Sequence, residues 1–170
     1  MVGTLEPKKG HIPAIRAFEA MWQAGLERPL VVIGRKGWME QPVVEAVELS
    51  PYFNEKLFWF DDFDDVDLAF AYGHARALIF SSYAEGFGIP MIEALTLGCP
   101  LVALDTLVAR EVAGDAGLFF SDFAGFAGHV VRLDTDEGHA AAVRDIAGFS
   151  WPTWDELTVP LLDRLAGLPG

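Results

Sequence analysis

The chain has 170 residues, 52% of them hydrophobic, and a formal net charge of −13. That is enough to bury one domain's core, too apolar for disorder, and too acidic for a nucleic-acid partner, whose phosphates are held by clustered Lys and Arg. A single cysteine, Cys99, excludes an internal disulfide and fits a reducing compartment, so a cytoplasmic location is expected. No basic segment followed by an apolar run opens the chain. The longest apolar stretch, 94–104, is interrupted by Gly98 and Pro100, so neither a signal peptide nor a membrane span is expected.

In chain order, Met1 to Thr4 reads as the end of a strand, and Ile12, Ile15, Phe18 and Trp22 recur at helical spacing. A strand follows at 30–34, a helix around Val43, Val44 and Val47, and a strand at 56–60. The run from Asp61 to Asp67 lacks the central glycine and distal glutamate of a calcium loop. It reads as the acidic start of a helix through Leu68 to Tyr72, and no metal is expected. Strands at 77–80, 101–104 and 117–120 and a closing helix at about 151–166 complete the pattern. Strands that are apolar throughout and alternate with helices predict a parallel sheet covered on both faces: an α/β, Rossmann-like, doubly wound domain spanning residues 1–170.

Smaller features take plain readings. His11, His74, His129 and His139 show no ligand spacing with one another or with Cys99, so zinc is not indicated, and Cys99 itself reads as a small core residue. Phe58, Trp59 and Phe60 read as strand and core, with one of them a candidate for the wall of a nucleobase pocket. All four lysines lie in the first third of the chain. Lys8, Lys9, Arg35 and Lys36 each follow a predicted strand, so they share the rim where parallel sheets bind ligands.

The most informative stretch runs from Ser81 to Leu95. Glu85 and Glu93 stand eight positions apart, with Gly86, Phe87, Gly88, Ile89 and Pro90 between them. A short apolar strand precedes the glycines, and Pro90 suits the first turn of a helix to about Leu97, with Gly98 past its end. Unpaired amides at such a turn and helix start attract an anion, a phosphate above all. Helical side chains lean toward the N-terminus, so Glu93 reaches back toward that anion while Glu85 stands on the loop before it. A carboxylate is a double acceptor for a vicinal diol, and both ribose and hexose carry one. The ligand that satisfies all three elements is a nucleoside diphosphate sugar.

These residues resemble the signature of the retaining glycosyltransferases of GT-B fold, glycosyl transferases group 1, in which two glutamates flank seven residues in the form EGFG-[IL]-P-x-[ILV]-E-A. The resemblance extends to Val2 through Gly10, to 101–103, to Glu111 through Leu118, and to the closing Phe149-Ser150-Trp151. It implies a donor-binding, C-terminal half of a GT-B enzyme. In that pattern Glu93 takes the ribose hydroxyls, Glu85 lies near the transferred sugar, and the amides of Gly86, Phe87, Gly88 and Ile89 hold diphosphate and sugar. Lys9 matches the basic residue that binds the diphosphate. Many members carry arginine where Thr4 stands, so that phosphate cation is either missing or replaced by Lys8, with Thr4 and Lys8 the candidate donor-binding residues at that position. Pro90 removes one amide from the cradle.

The function implied is transfer of a sugar, mannosyl or glucosyl, from a nucleoside diphosphate sugar to an acceptor hydroxyl with retention of configuration. Glu85 and Lys9 are the catalytic candidates, and neither metal nor other cofactor is needed. The partners implied are the donor and the enzyme's own N-terminal acceptor domain, which this sequence does not encode. Peripheral membrane association of the full enzyme, in polysaccharide or glycolipid synthesis, is compatible with that role. The chain is expected to be inactive alone. The alternatives are a non-catalytic module that keeps the nucleotide-sugar pocket for binding or assembly, and a nucleotide-sugar epimerase on the same fold, which fold alone does not separate.

Overall fold

The computed structural model of the protein describes residues 1–167. A 3-10 turn over Pro7–Lys9 leads into α1 (His11–Gln23), followed by β1 (Leu30–Ile33), α2 (Gln41–Glu48), β2 (Leu57–Phe60) and α3 (Asp65–His74). Next come β3 (Leu78–Phe80), α4 (Ile89–Thr96), β4 (Leu101–Leu104), α5 (Leu107–Ala113) and β5 (Gly117–Phe120). The chain closes with α6 (Phe123–Asp134), α7 (Asp136–Ile146) and α8 (Trp154–Ala166). The five expected strands all form, within a residue of their expected limits, and the closing helix starts at Trp154 rather than at 151.

All strand pairing is parallel, as expected, but it divides into two ladders, β1 with β2 and β3 with β4 and β5. The opening segment makes only single bridges, Val2 to Ile33 and Leu5 to Lys36, instead of the expected strand. Gly3 explains the break: at φ 136° it leaves the extended region, so the ladder begun by Val2 cannot continue along β1. The two ladders nonetheless share one core. Leu30 and Val32 of β1 lie in the same buried cluster as Ile79 of β3 and Val102 of β4, roofed by Ile15, Phe18 and Trp22 of α1 and by Phe126 of α6.

Alternate residues of β3 and β4 point the other way. Leu78, Phe80, Leu101 and Ala103 join Met91, Ala94 and Leu95 of α4 and Val112 of α5 in a second cluster. Period-two alternation into two separate cores is what a sheet covered on both faces produces, and it bears out the doubly wound reading. Cys99 is buried in this second cluster, where burial pushes its thiol up to about 11, so it packs as a small apolar residue.

The acidic run caps α3. Asp64 Oδ1 accepts from the amides of Val66 and Asp67, each at 2.9 Å, and Asp67 returns a bond to the Asp64 amide. Among the described residues no three His, Cys, Asp or Glu side chains are grouped for a metal, and no helix is long and apolar enough to cross a membrane.

His11, the first residue of α1, is 2% exposed, and its Nδ1 has no hydrogen-bond partner among the described residues. Burial lowers its pKa to about 4. The folded protein therefore takes this proton less readily than the unfolded chain, and stability drains away as the pH falls from about 6.5 toward 4. The loss is about 3 kcal/mol when complete. Urea unfolding of the wild type and His11→Gln at pH 7, 5.5 and 4 measures it. The gap between the two proteins is expected to shift by that amount in favour of the variant, and a gap independent of pH would contradict the assignment.

Candidate active site

The site lies where the loop after β3 meets the turn before α1. β3 ends at Phe80, and Ser81 and Ser82 follow, 6% and 3% exposed. Their hydroxyls face the Lys8 to Gly10 turn rather than solvent. Ser81 Oγ lies 3.0 Å from the carbonyl oxygens of both Lys9 and Gly10, and Ser82 Oγ donates to Lys8 O at 3.2 Å. The Tyr83 amide donates to Lys8 O at 2.8 Å. Gly10, at φ 69°, brings its α-carbon so close to this strand end that a Cβ there would stand 2.2 Å from Ser81 O. Two loops more than 70 residues apart in sequence are thus fastened backbone to backbone.

The clasp brings Lys9 onto Glu85. Lys9 Nζ donates to Glu85 Oε1 at 2.6 Å, and their side chains are 17% and 13% exposed. In that setting a charge-assisted bond is well formed and poorly screened. Immediately after Glu85 the backbone turns through Gly86, Phe87 and Gly88 into α4, with Gly88 at the N-cap and Pro90 in the first turn, as expected. The amides of Gly86, Phe87, Gly88 and Ile89 donate no hydrogen bond among the described residues, and the first amide of this stretch to find a partner is that of Met91, which bonds Gly88 O. Four free N–H groups in a row at a helix start, directly after a lysine–glutamate pair, have the geometry of a candidate anion cradle. Pro90 removes none of the four.

Glu93 sits in the second turn of α4, half-buried, and accepts a hydrogen bond at 3.1 Å from the hydroxyl of Tyr72 on α3. Phe87 meets Trp151 edge to face, with ring centroids 5.6 Å apart, so the Phe149-Ser150-Trp151 element packs against the glycine turn. Lys8 and Thr4 both meet Glu6: Lys8 Nζ pairs with it at 3.1 Å, and the Glu6 carboxyl is held below its ordinary range by that ammonium first, with Thr4 adding a hydrogen bond. Lys36 stands 5.5 Å over the ring of Trp59, whose Nε1 donates to Gly34 O. Trp59 therefore braces the turn after β1.

Of the residues singled out from sequence, the structure brings Lys9, Glu85, Gly86, Phe87, Gly88 and Ile89 together, and holds Glu93 on the same helix that the cradle begins. Ser81, Ser82 and Tyr72 were not singled out. The available signal for the serines is a pair of hydroxyls directly after a buried strand, where a loop would otherwise expose them.

Comparison with known proteins agrees with this architecture. Residues 1–144 match the family described as "Glycosyl transferases group 1". The chain is 35% identical over 170 residues to the serotype-specific mannosyltransferase WbdA of Escherichia coli, covering 97% of this chain and 20% of that protein. It is 27% identical over 167 residues to O-antigen chain mannosyltransferase B of the same organism, covering 95% of this chain and 44% of that one. The chain thus spans between a fifth and a half of the length of these relatives.

Among solved structures, Anabaena Alr3699/HepE in complex with UDP-glucose superposes with a TM-score of 0.79 at 19% identity, over 98% of this chain and 48% of that one. WaaG, a glycosyltransferase involved in lipopolysaccharide biosynthesis, gives 0.70 at 18% identity, over 99% of this chain and 46% of that one. These likenesses carry the fold, an α/β Rossmann-like domain of the GT-B class. With the family match running through both the Lys9 turn and the Glu85 to Glu93 segment, the chain belongs to the glycosyl transferases group 1 family.

Proposed function

We propose that this chain is the donor-binding, C-terminal half of a retaining glycosyltransferase that moves a hexosyl group, mannosyl in the first instance, from a nucleoside diphosphate sugar to an acceptor hydroxyl. The observation that carries the reading is the run of four unpartnered amides between Glu85 and Glu93, opened by the Lys9–Glu85 pair. Diphosphate lies on the amides and on Lys9, the hexose beside Glu85, and the ribose diol on Glu93. The choice of mannosyl follows the names of the relatives, two kinds of mannosyltransferase.

In the transfer step the bond from the anomeric carbon to the diphosphate oxygen breaks as the acceptor oxygen bonds to that carbon, and Lys9, the loop amides and the α4 start stabilise the charge that develops on the leaving group. The departing oxygen takes the proton of the incoming hydroxyl on the same face, so configuration is retained. Alignment of that hydroxyl is the work of an acceptor domain belonging to a longer enzyme, one that works in the cytoplasm, at a membrane surface where the acceptor is lipid-linked.

Titration calorimetry of the chain with UDP, GDP and ADP and their sugar conjugates tests this. Binding of at least one in the micromolar to millimolar range, about −4 to −8 kcal/mol, is expected, because half of a two-domain cleft is made elsewhere. EDTA is expected to leave that affinity unchanged, since Lys9 and the amides supply the positive potential. No binding by a folded sample at millimolar nucleotide would refute the reading. Loss of affinity in EDTA, restored by magnesium or manganese, would return Asp62, Asp64 or Asp65 to consideration as metal ligands.

A further inference from the structure

We propose that Tyr72 is a positioning residue for the nucleotide ribose, fixing the Glu93 carboxylate so that one oxygen is held by the protein and the other is presented to the diol. The inference rests on the reading that Glu93 is the ribose acceptor, and goes beyond it by assigning a second residue, on a different helix, to the same recognition.

Tyr72 is 4% exposed and lies within the cluster formed by Leu78, Phe80, Met91 and Leu95. Its ring has two torsions, both fixed by that packing, and its hydroxyl reaches Glu93 Oε2 at 3.1 Å. Glu93 Oε1 has no hydrogen-bond partner among the described residues, and no cation pairs with the carboxylate there. A glutamate on a helix surface has three free torsions, and holding it for a bidentate contact costs entropy that a fixed donor removes in advance. Tyr72 always presents a proton: burial first, and the neighbouring Glu93 charge second, raise its pKa far above the ordinary phenol value. The Tyr72 hydroxyl is therefore the donor of this bond and Glu93 Oε2 the acceptor.

A tyrosine that merely stapled α3 to α4 would show the same hydrogen bond, so the test reads the ribose and not the fold. Whichever of UDP, GDP and ADP binds is titrated, together with its 2′,3′-dideoxy counterpart, against the wild type, Tyr72→Phe, Glu93→Gln and the double variant. Phenylalanine keeps the ring in the core, and urea unfolding of each variant checks the fold. Tyr72→Phe is expected to weaken the ribonucleotide about three- to tenfold, as for one lost hydrogen bond, and to leave the dideoxy nucleotide within about twofold. Glu93→Gln weakens the ribonucleotide about tenfold or more and spares the dideoxy form. The double variant is no weaker than Glu93→Gln alone, because Tyr72 acts through Glu93.

If Glu93→Gln discriminates between the two nucleotides while Tyr72→Phe does not, or if the two losses add, the positioning role is overturned and the ribose assignment stands. If Glu93→Gln weakens both nucleotides alike, the ribose assignment falls and the role of Tyr72 with it. Absence of binding by all three nucleotides removes both.

Discussion

Gly10→Ala is expected to lower the unfolding free energy by about 3–4 kcal/mol and the melting midpoint by about 10 °C. Two penalties combine. The residue sits at φ 69°, where a Cβ costs about 1–2 kcal/mol. The added carbon would also stand 2.2 Å from Ser81 O, a backbone atom at the end of a buried strand that has no rotamer to escape into. Relief requires the two loops to part, which lengthens the contacts of Ser81 Oγ with the Lys9 and Gly10 carbonyls and the bond from Tyr83 N to Lys8 O. Donor affinity falls in the same variant, because Lys9 and Glu85 ride on the parted loops.

Gly128→Ala is the control of opposite sign. Gly128 lies on the exposed side of α6, and nothing stands within 4 Å of a Cβ there, so alanine should stabilise the helix by about 0.5–1 kcal/mol. Chemical unfolding of the two variants decides the matter. A Gly10→Ala loss below about 1 kcal/mol would mean that the clasp is looser than its distances indicate.

The second large effect separates the two members of the ion pair. Lys9→Ala should weaken nucleoside diphosphate binding about tenfold or more, since it removes a cation from the cradle and leaves the Glu85 carboxylate, only 13% exposed, beside the phosphate with no counter-charge. Glu85→Gln should do the reverse for a nucleotide without its sugar. Lys9 is released from its 2.6 Å partner, and affinity is expected to hold or rise.

Transfer responds differently. In a longer enzyme of the kind proposed, both Lys9→Ala and Glu85→Ala are expected to reduce the rate about tenfold or more, equivalent to at least 1.4 kcal/mol of transition-state stabilisation. Product anomer analysis by NMR accompanies those rates and should show retention. Calorimetry with the bare diphosphate and with its sugar conjugate gives the asymmetry directly. Equal losses for the two single variants on the bare nucleotide would show that Glu85 does not compete for Lys9.

What the sequence made legible was local. The glycine turn and Pro90 announce the start of α4 within a few residues, Asp64 and Asp67 announce the capping box of α3, and apolar runs of four or five residues announce each strand. The Glu85 to Glu93 spacing likewise places two carboxylates around one helix start. Features made by distant residues were not legible. Ser81 and Ser82 act on Lys8, Lys9 and Gly10, more than 70 positions away, and although their place directly after a buried strand is a signal, it does not name those partners. Tyr72 reads as one apolar member of a helical pattern until α4 is packed against it. The reduction of the opening strand to single bridges was hidden for the opposite reason: a single backbone angle at Gly3 overrides the strand pattern of its neighbours.

The clasp between the Lys9 turn and the end of β3 is built from backbone carbonyls, one backbone amide and two serine hydroxyls. The side chains of Tyr83, Ala84 and Phe87, all exposed, take no part in it. The exposed face of this loop and its mechanical integrity are therefore carried by different atoms. Randomised libraries at Tyr83 and Ala84 would leave that mount unaltered, whereas the same diversity at Ser81, Ser82 or Gly10 would be spent on proteins that no longer hold Lys9 against Glu85.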